Sequence, residues 1–393
     1  MKYISGPYAQ GQLLREIREI ETALTNRYLR DGLITDAAEK RSWRERLEEA
    51  SLGRNTVMYD DQGNPSVMVV VPLLTEAELI TGGRNMPHFG FIVGGATKSR
   101  IYISKHLNFV TGSGATLRAV GLKHRDPGNS ISFDNALLAC QQKGAGWHLA
   151  TNAEWAAIAL WCWKQGFLPR GNNSYGKDYA ITSEVGVPSY YYDSGGTKYI
   201  GRTATGSGPL SWTHDGSPFG ISDLNGNVWE WVGGLRIVDG EIQVFADNNA
   251  ASNTADHGVA SAAWRAILED GTLVAPGTAG TLKYDATGAG GTGNVVVRAS
   301  EGATQLDGTT SASTMYKDLT TTATIPNQLK LLGLYPHDTT IPTGWVYVRN
   351  KERLPLRGGP WSGASNAGLF SLNLSNARSA VSPSIGFRAA FSE

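Results

Sequence analysis

A chain of 393 residues with 41% apolar residues and 11 Trp is long enough for two or three domains and a sizeable core, which argues against disorder. Its 35 basic and 35 acidic residues cancel, so no overall field would hold nucleic acid or an anionic membrane, and the two cysteines, Cys140 and Cys162, make neither a disulfide framework nor a zinc spacing. The cysteine count points to synthesis in a reducing compartment, and 48 Gly with only 18% charged residues favours a loop-rich, mixed or β-rich fold.

The opening segment, MKYISGPYAQGQLLREIREIE, lacks the apolar centre of a signal peptide, so synthesis in the cytoplasm is expected. The longest apolar stretch, Val67 to Leu74, contains Pro72 and is too short to cross a bilayer, so no membrane insertion is expected. Leu13, Ile17, Ile20 and Leu24 form a narrow apolar seam among charged residues. Two readings stay open for it: a short coiled coil joining copies into a homo-oligomer, or a helix packed on its own chain. Asp36 with Glu39 reads as a capping box, and Trp43 and Leu47 continue an apolar face on a second helix ending near Gly53. Residues 1–55 are therefore expected to be a helical hairpin for oligomerisation or attachment, and residues 56–393 a globular domain.

In that domain Val67 to Leu74, Phe91 to Val93 and Ile101 to Ile103 read as strands. Helices are expected over Ala136 to Gln142 and, after a Thr151/Glu154 capping box, over Trp155 to Trp163. Residues 235–353 turn to Gly, Ala, Thr and Asp with β-prone pieces at Ile242 to Phe245 and Asn294 to Arg298; a stretch this long is an insertion, not a connection. Gly288 to Gly293 fits a dinucleotide-loop expression but precedes a Val-rich strand, so it reads as a turn.

Three blocks carry most information: Gly146-Trp147-His148-Leu149-Ala150-Thr151-Asn152-Ala153-Glu154-Trp155; Phe219 to Val232, with Asn225-Gly226-Asn227 and Trp229-Glu230-Trp231; and Leu356 to Phe391, with Arg357-Gly358-Gly359-Pro360-Trp361, Asn376-Ala377-Arg378-Ser379 and Ile385-Gly386-Phe387-Arg388. Asn225-Gly226-Asn227 is a tight turn, after which Trp229 and Trp231 share one face of a strand and Glu230 the other. Leu372 and Leu374 alternate with Asn373 and Ser375, so the last block has an apolar and a small polar face.

Together the blocks resemble the variable proteins of diversity-generating retroelements, which have a C-type-lectin-like fold of the formylglycine-generating-enzyme branch. The resemblance covers roughly Pro87 to Val232 and Leu356 to Glu393. It implies an α+β fold in which 356–391 is a variable ligand-binding region, and it leaves the hairpin and the 235–353 insertion unexplained. Pro360, Ser362, Ser365, Ser371, Ser375, Ala380, Val381, Ser382, Pro383 and Ser384 would be the exchangeable contacts. Trp361, Asn376, Arg378, Phe387 and Arg388 would hold them. The partner implied is a protein or glycan on a target cell, met from a virion such as a phage tail or from a bacterial surface. No organic cofactor is implied. A structural calcium is the one metal the resemblance admits, with Asn227 and Glu230 as ligands.

The oxidases of this branch need a redox-active cysteine pair between the Gly-Gly and Ala-Arg-Ser elements. Phe370 to Ser375 holds none here, so no catalysis is expected. An enzyme of the same branch with a different active site, and a structural virion protein, stay open as alternatives.

Overall fold

The computed structural model describes residues 7–299 and 304–393; residues 1–6 of the expected hairpin and 300–303 of the expected insertion lie outside the described residues. The first helix, α1 (Pro7–Asp31), places Ile17, Ile20, Leu24 and Tyr28 along one face, and all four are buried. They pack with Leu47 of the second helix, α2 (Ala37–Ala50), and with Val57, Val67, Val120 and Leu122 of the globular part. The seam that could have joined copies into a homo-oligomer is thus covered by the chain itself, since burial of each Leu or Ile contributes about 1.5–3 kcal/mol. At the head of α2 the Asp36 carboxylate accepts from the Glu39 amide at 2.7 Å. The Glu39 carboxylate does not close the box: it forms a bidentate pair with Arg27 at 2.8 and 2.9 Å, which locks the two helices.

Beyond the hairpin come β1 (Asn55–Tyr59), β2 (Pro65–Pro72), β3 (Arg100–Ser104), α3 (Phe133–Gln141), β4 (Trp147–Leu149) and α4 (Asn152–Lys164). Only Ile92–Val93 of the expected strand at Phe91 to Val93 is extended; Phe89–Phe91 is a 3-10 turn because the His88 ring accepts the Gly90 amide. Helix α4 starts at a reciprocal capping box between Thr151 and Glu154. It is buried on nearly every face, which fits its run of Ala, Trp, Ile and Leu.

A two-stranded hairpin follows, β5 (Tyr191–Ser194) and β6 (Thr197–Ile200), then β7 (Trp229–Trp231). Residues 235–353 contribute β8 (Leu235–Val238), β9 (Glu241–Phe245), β10 (Trp264–Ile267), β11 (Leu273–Val274), β12 (Lys283–Gly288), β13 (Thr292–Arg298), β14 (Ala312–Met315), β15 (Thr320–Thr321) and β16 (Trp345–Val348). The chain closes with β17 (Leu354–Gly358), β18 (Gly368–Asn376), β19 (Ile385–Phe387) and β20 (Ala389–Phe391). The glycine run at 288–293 is the turn between β12 and β13, with positive φ at Gly290, Gly291 and Gly293.

Three sheets organise the domain: β1-β2-β3-β20-β4; β14-β16-β18-β17-β7-β19; and β11-β10-β9-β12-β13-β15 with β8 paired to β9. The expected insertion therefore does not stand apart. Its strand β16 pairs in parallel with β18, Tyr347 opposite Asn373, and β14 pairs with β16, so two of its strands extend the sheet of the last block. The reason is the alternation Trp345-Val346-Tyr347-Val348, which buries Val346 and Val348 in the same core as Leu372 and Leu374.

Candidate recognition surface

Strands β14, β16 and β18 turn one side into the core and the other outward. On the outward side Trp345, Tyr347, Asn373 and Ser375 are partly exposed, with Tyr347 opposite Asn373 across the two parallel strands. The Trp345 and Tyr347 rings stack with centroids 6.2 Å apart, and the buried Trp229 ring meets Tyr347 edge-on at 6.4 Å and 86°. The Trp345 indole N–H is buried and makes no hydrogen bond with the described residues. These aromatics form a floor.

Two loops border it. The loop after β17 carries Pro360, Ser362 and Ser365; Ser362 is exposed, and the other two are partly so. Its path depends on Gly359, at φ 93°, where a Cβ would come within 2.5 Å of the Ala367 methyl. The loop after β18 carries Ala380, Val381, Ser382, Pro383 and Ser384. Val381 is 58% exposed, Pro383 is exposed, and Ala380 rests on the apolar cluster that includes Trp229. The Ser384 carbonyl accepts from the Trp229 amide at 2.8 Å, tying this loop to the floor. Ser375 lies on the floor itself, its hydroxyl donating to the Asn373 side chain at 2.7 Å.

Ser371 departs from the expectation. It is fully buried and its hydroxyl donates to the Asn366 carbonyl at 2.7 Å, because the 364–366 turn folds over that end of β18. A larger side chain there would have no room, so it is a scaffold residue.

Of the scaffold residues, Arg378 binds Asp134 at 2.7 Å, Glu352 at 3.1 Å and the His257 carbonyl at 2.9 Å, holding the loop after β18 to three other segments. Phe387 is fully buried. Trp361 packs with Leu107 and Val228 and against Tyr190 and Tyr192, whose rings lie 6.0 and 6.2 Å from it. Asn376 ends β18, and its side-chain amide makes no hydrogen bond with the described residues, so of the two it is Arg378 that holds the loop.

Sequence reading missed the aromatic members. Trp345 and Tyr347 lie in the presumed insertion, where their period-two alternation was the available signal. Tyr190 precedes β5 and Tyr192 lies within it; Tyr190 is joined to the loop after β18 through Arg202, which sits 4.1 Å over Tyr190 and donates to the Pro383 carbonyl at 2.6 Å. No sequence pattern linked them to the last block.

Asn227 and Glu230 do not fit a calcium site. The Asn227 amide is already bound on both ends to the Thr203 backbone, at 2.9 and 3.0 Å, and also accepts from Asn172. Glu230 forms a bidentate pair with Arg388 at 2.7 and 2.8 Å, both side chains buried; burial pushes its carboxyl above the ordinary value against the pull of Arg388. Neither residue presents a free carboxylate edge, and among the described residues no three His, Cys, Asp or Glu gather at a metal-binding spacing. Adding calcium, or a chelator, is accordingly expected to leave the thermal unfolding temperature unchanged; a calcium-dependent rise of several degrees would restore the metal.

Cys140 and Cys162 are also fully buried, and burial pushes both thiols well above their ordinary range, so neither supplies a thiolate. Among the described residues no helix is long and apolar enough to cross a membrane.

Residues 96–245 match the family model of the sulfatase-modifying factor enzyme 1-like domain, which ends before the last block begins. No curated protein matches the chain. Among solved structures, the chain is similar to variable protein 1 of Treponema denticola, at 12% identity and TM-score 0.33, covering 86% of this chain and 98% of that one. It is also similar to the P3c variant of a major tropism determinant, at 12% identity and TM-score 0.31, covering 86% and 71%. A third is PvdO from Pseudomonas aeruginosa, at 16% identity and TM-score 0.34, covering 86% and 98%. The fold is α+β, and residues 96–245 within it are similar to the sulfatase-modifying factor enzyme 1-like domain.

Proposed function

We propose that this protein recognises a receptor, protein or glycan, on a target cell through the aromatic floor and its two bordering loops. In this reading the exchangeable positions are diversified by a retroelement and the chain is carried on a virion or a cell surface. One observation carries the proposal: apart from Ser371, every exchangeable position reaches solvent, and those positions ring or lie on a floor of Trp345, Tyr347 and Asn373. Fixed aromatics supply contact area at small entropic cost, while small exchangeable side chains around them set which partner fits. Glycines and the Arg378 contacts hold the backbone, so exchange at exposed rim positions such as Ser362 and Val381 leaves the core untouched. The buried, protonated thiols leave no redox nucleophile for an oxidase of the same branch.

The test is deep sequencing of the encoding population across the codons for Leu356 to Phe391, with a search of flanking DNA for a near-copy. Substitutions are expected at Pro360, Ser362, Ser365, Ser375 and Ala380 to Ser384, opposite adenines of the near-copy, and not at Ser371. Uniform codons without a near-copy would refute diversification. Substitution at Ser371 as frequent as at Ser375 would refute the placement of the surface.

A further inference from the structure

A cavity of about 300 Å³ lies between β2 and α4, away from the recognition surface and sharing no residue with it. Val69, Val71 and Ile158 line it together with the rings of Trp161 and Phe219, and the three aliphatic residues belong to the main core. Its apolar wall is therefore fixed by the fold.

The remaining lining is polar. Arg54 is exposed, its guanidinium 4.9 Å over the Phe219 ring, with no carboxylate at ion-pair distance among the described residues. His214 accepts the Ile221 amide on Nδ1 at 2.9 Å, so the neutral ring carries its proton on Nε2 and is a donor there. The Asp215 carboxylate accepts from the Ser217 amide and hydroxyl at 3.0 and 2.7 Å, which fixes its position and leaves lone pairs unused. An apolar chamber thus carries a cation with no carboxylate partner among the described residues, a neutral donor and an oriented carboxylate.

A ligand that matches has a carboxylate for Arg54 and His214, an ammonium for Asp215 and a bulky apolar group for the Val69, Val71, Ile158 and Trp161 wall. A simple apolar acid would face Asp215 with no cation to offer, and a simple amine would gain nothing from Arg54. We propose that this cavity binds a free α-amino acid with a large aliphatic or aromatic side chain. The cavity has the size of an ordinary small-molecule pocket, at the lower end of the range. Binding couples the end of α4 to the segment at 214–221, which packs beside the N-terminal hairpin through Phe219.

Calorimetric titration of the full chain tests this with L-phenylalanine and L-leucine against 3-phenylpropionate, which lacks the ammonium, and phenethylamine, which lacks the carboxylate. The amino acids are expected to bind, and each truncated analogue to bind roughly tenfold more weakly or less. Arg54→Ala, at an exposed position, should leave the unfolding temperature unchanged and reduce L-phenylalanine to the level of phenethylamine. Ile158→Trp, which fills the chamber, should abolish binding. Absence of binding by both amino acids up to about 10 mM overturns the proposal. So does 3-phenylpropionate binding as tightly as L-phenylalanine, or an Arg54→Ala variant that binds L-phenylalanine as the parent does.

Discussion

Replacing Arg388 with methionine is expected to destabilise the protein by about 3–5 kcal/mol, read as a lowered urea midpoint at unchanged slope. Arg388 stands between β19, in one sheet, and β20, in another, so its side chain sits where the chain crosses from sheet to sheet. Its guanidinium binds Glu230 through two hydrogen bonds and the carbonyls of Ser104 and Ser222 at 2.8 and 2.9 Å, with about 1% of its surface exposed. Methionine fills much of the volume but leaves the Glu230 carboxylate buried without its cation and two carbonyls without donors. Adding Glu230→Gln removes the stranded charge, so the double variant is expected to recover part of the loss. A single-variant loss below about 1 kcal/mol would show that the pair does not join the sheets.

The second large effect is acid sensitivity between pH 6.5 and 4. His88, His106 and His257 are almost fully buried, and burial lowers each from the ordinary 6.5 to about 4. A histidine whose folded pKa is depressed favours the folded state above its unfolded value, and that contribution is lost as pH falls from the unfolded value toward the folded one. Each of the three is thereby worth about 3 kcal/mol, lost across that window, against a typical net stability of about 5–15 kcal/mol. The protein is expected to unfold before pH 4, followed by tryptophan fluorescence.

Glu21 acts lower on the scale. Burial alone would raise its carboxyl, but Lys105 at 2.6 Å, Lys123 at 3.2 Å and His106 hold it well below its ordinary value. Its contribution is present above the unfolded carboxylate pKa and lost only as pH falls through the depressed folded value. Burial lowers His337 to about 4 as well, so a His106→Asn variant should make the loss between pH 6.5 and 4 smaller by no more than about a quarter. A stability that stays flat from pH 7 to 4 would mean these rings find water or partners on protonation.

Much of the site was legible because local rules produced it. The Thr151/Glu154 box, the turn at Asn225-Gly226-Asn227 and the Leu372/Leu374 alternation each depend on residues a few positions apart. What was missed depended on residues far apart. The burial of Ser371 comes from a turn that covers it, and its Ser looks no different in sequence from the accessible Ser375. Asn227 and Glu230 have the donor chemistry of metal ligands, yet their oxygens are taken by Thr203 and Arg388.

The sequence by itself determined the periodicities, caps, turns and the alternation of bulky and small residue types, because those are set by backbone preference and near-neighbour spacing. Tertiary structure alone decided that the α1 seam faces its own chain, that β14 and β16 from the presumed insertion widen the sheet of the last block, and that Trp345 and Tyr347 become the floor between its loops. Strand order and the partners of buried charges are settled by which distant apolar faces exclude water together, and no local pattern in the chain encodes that pairing.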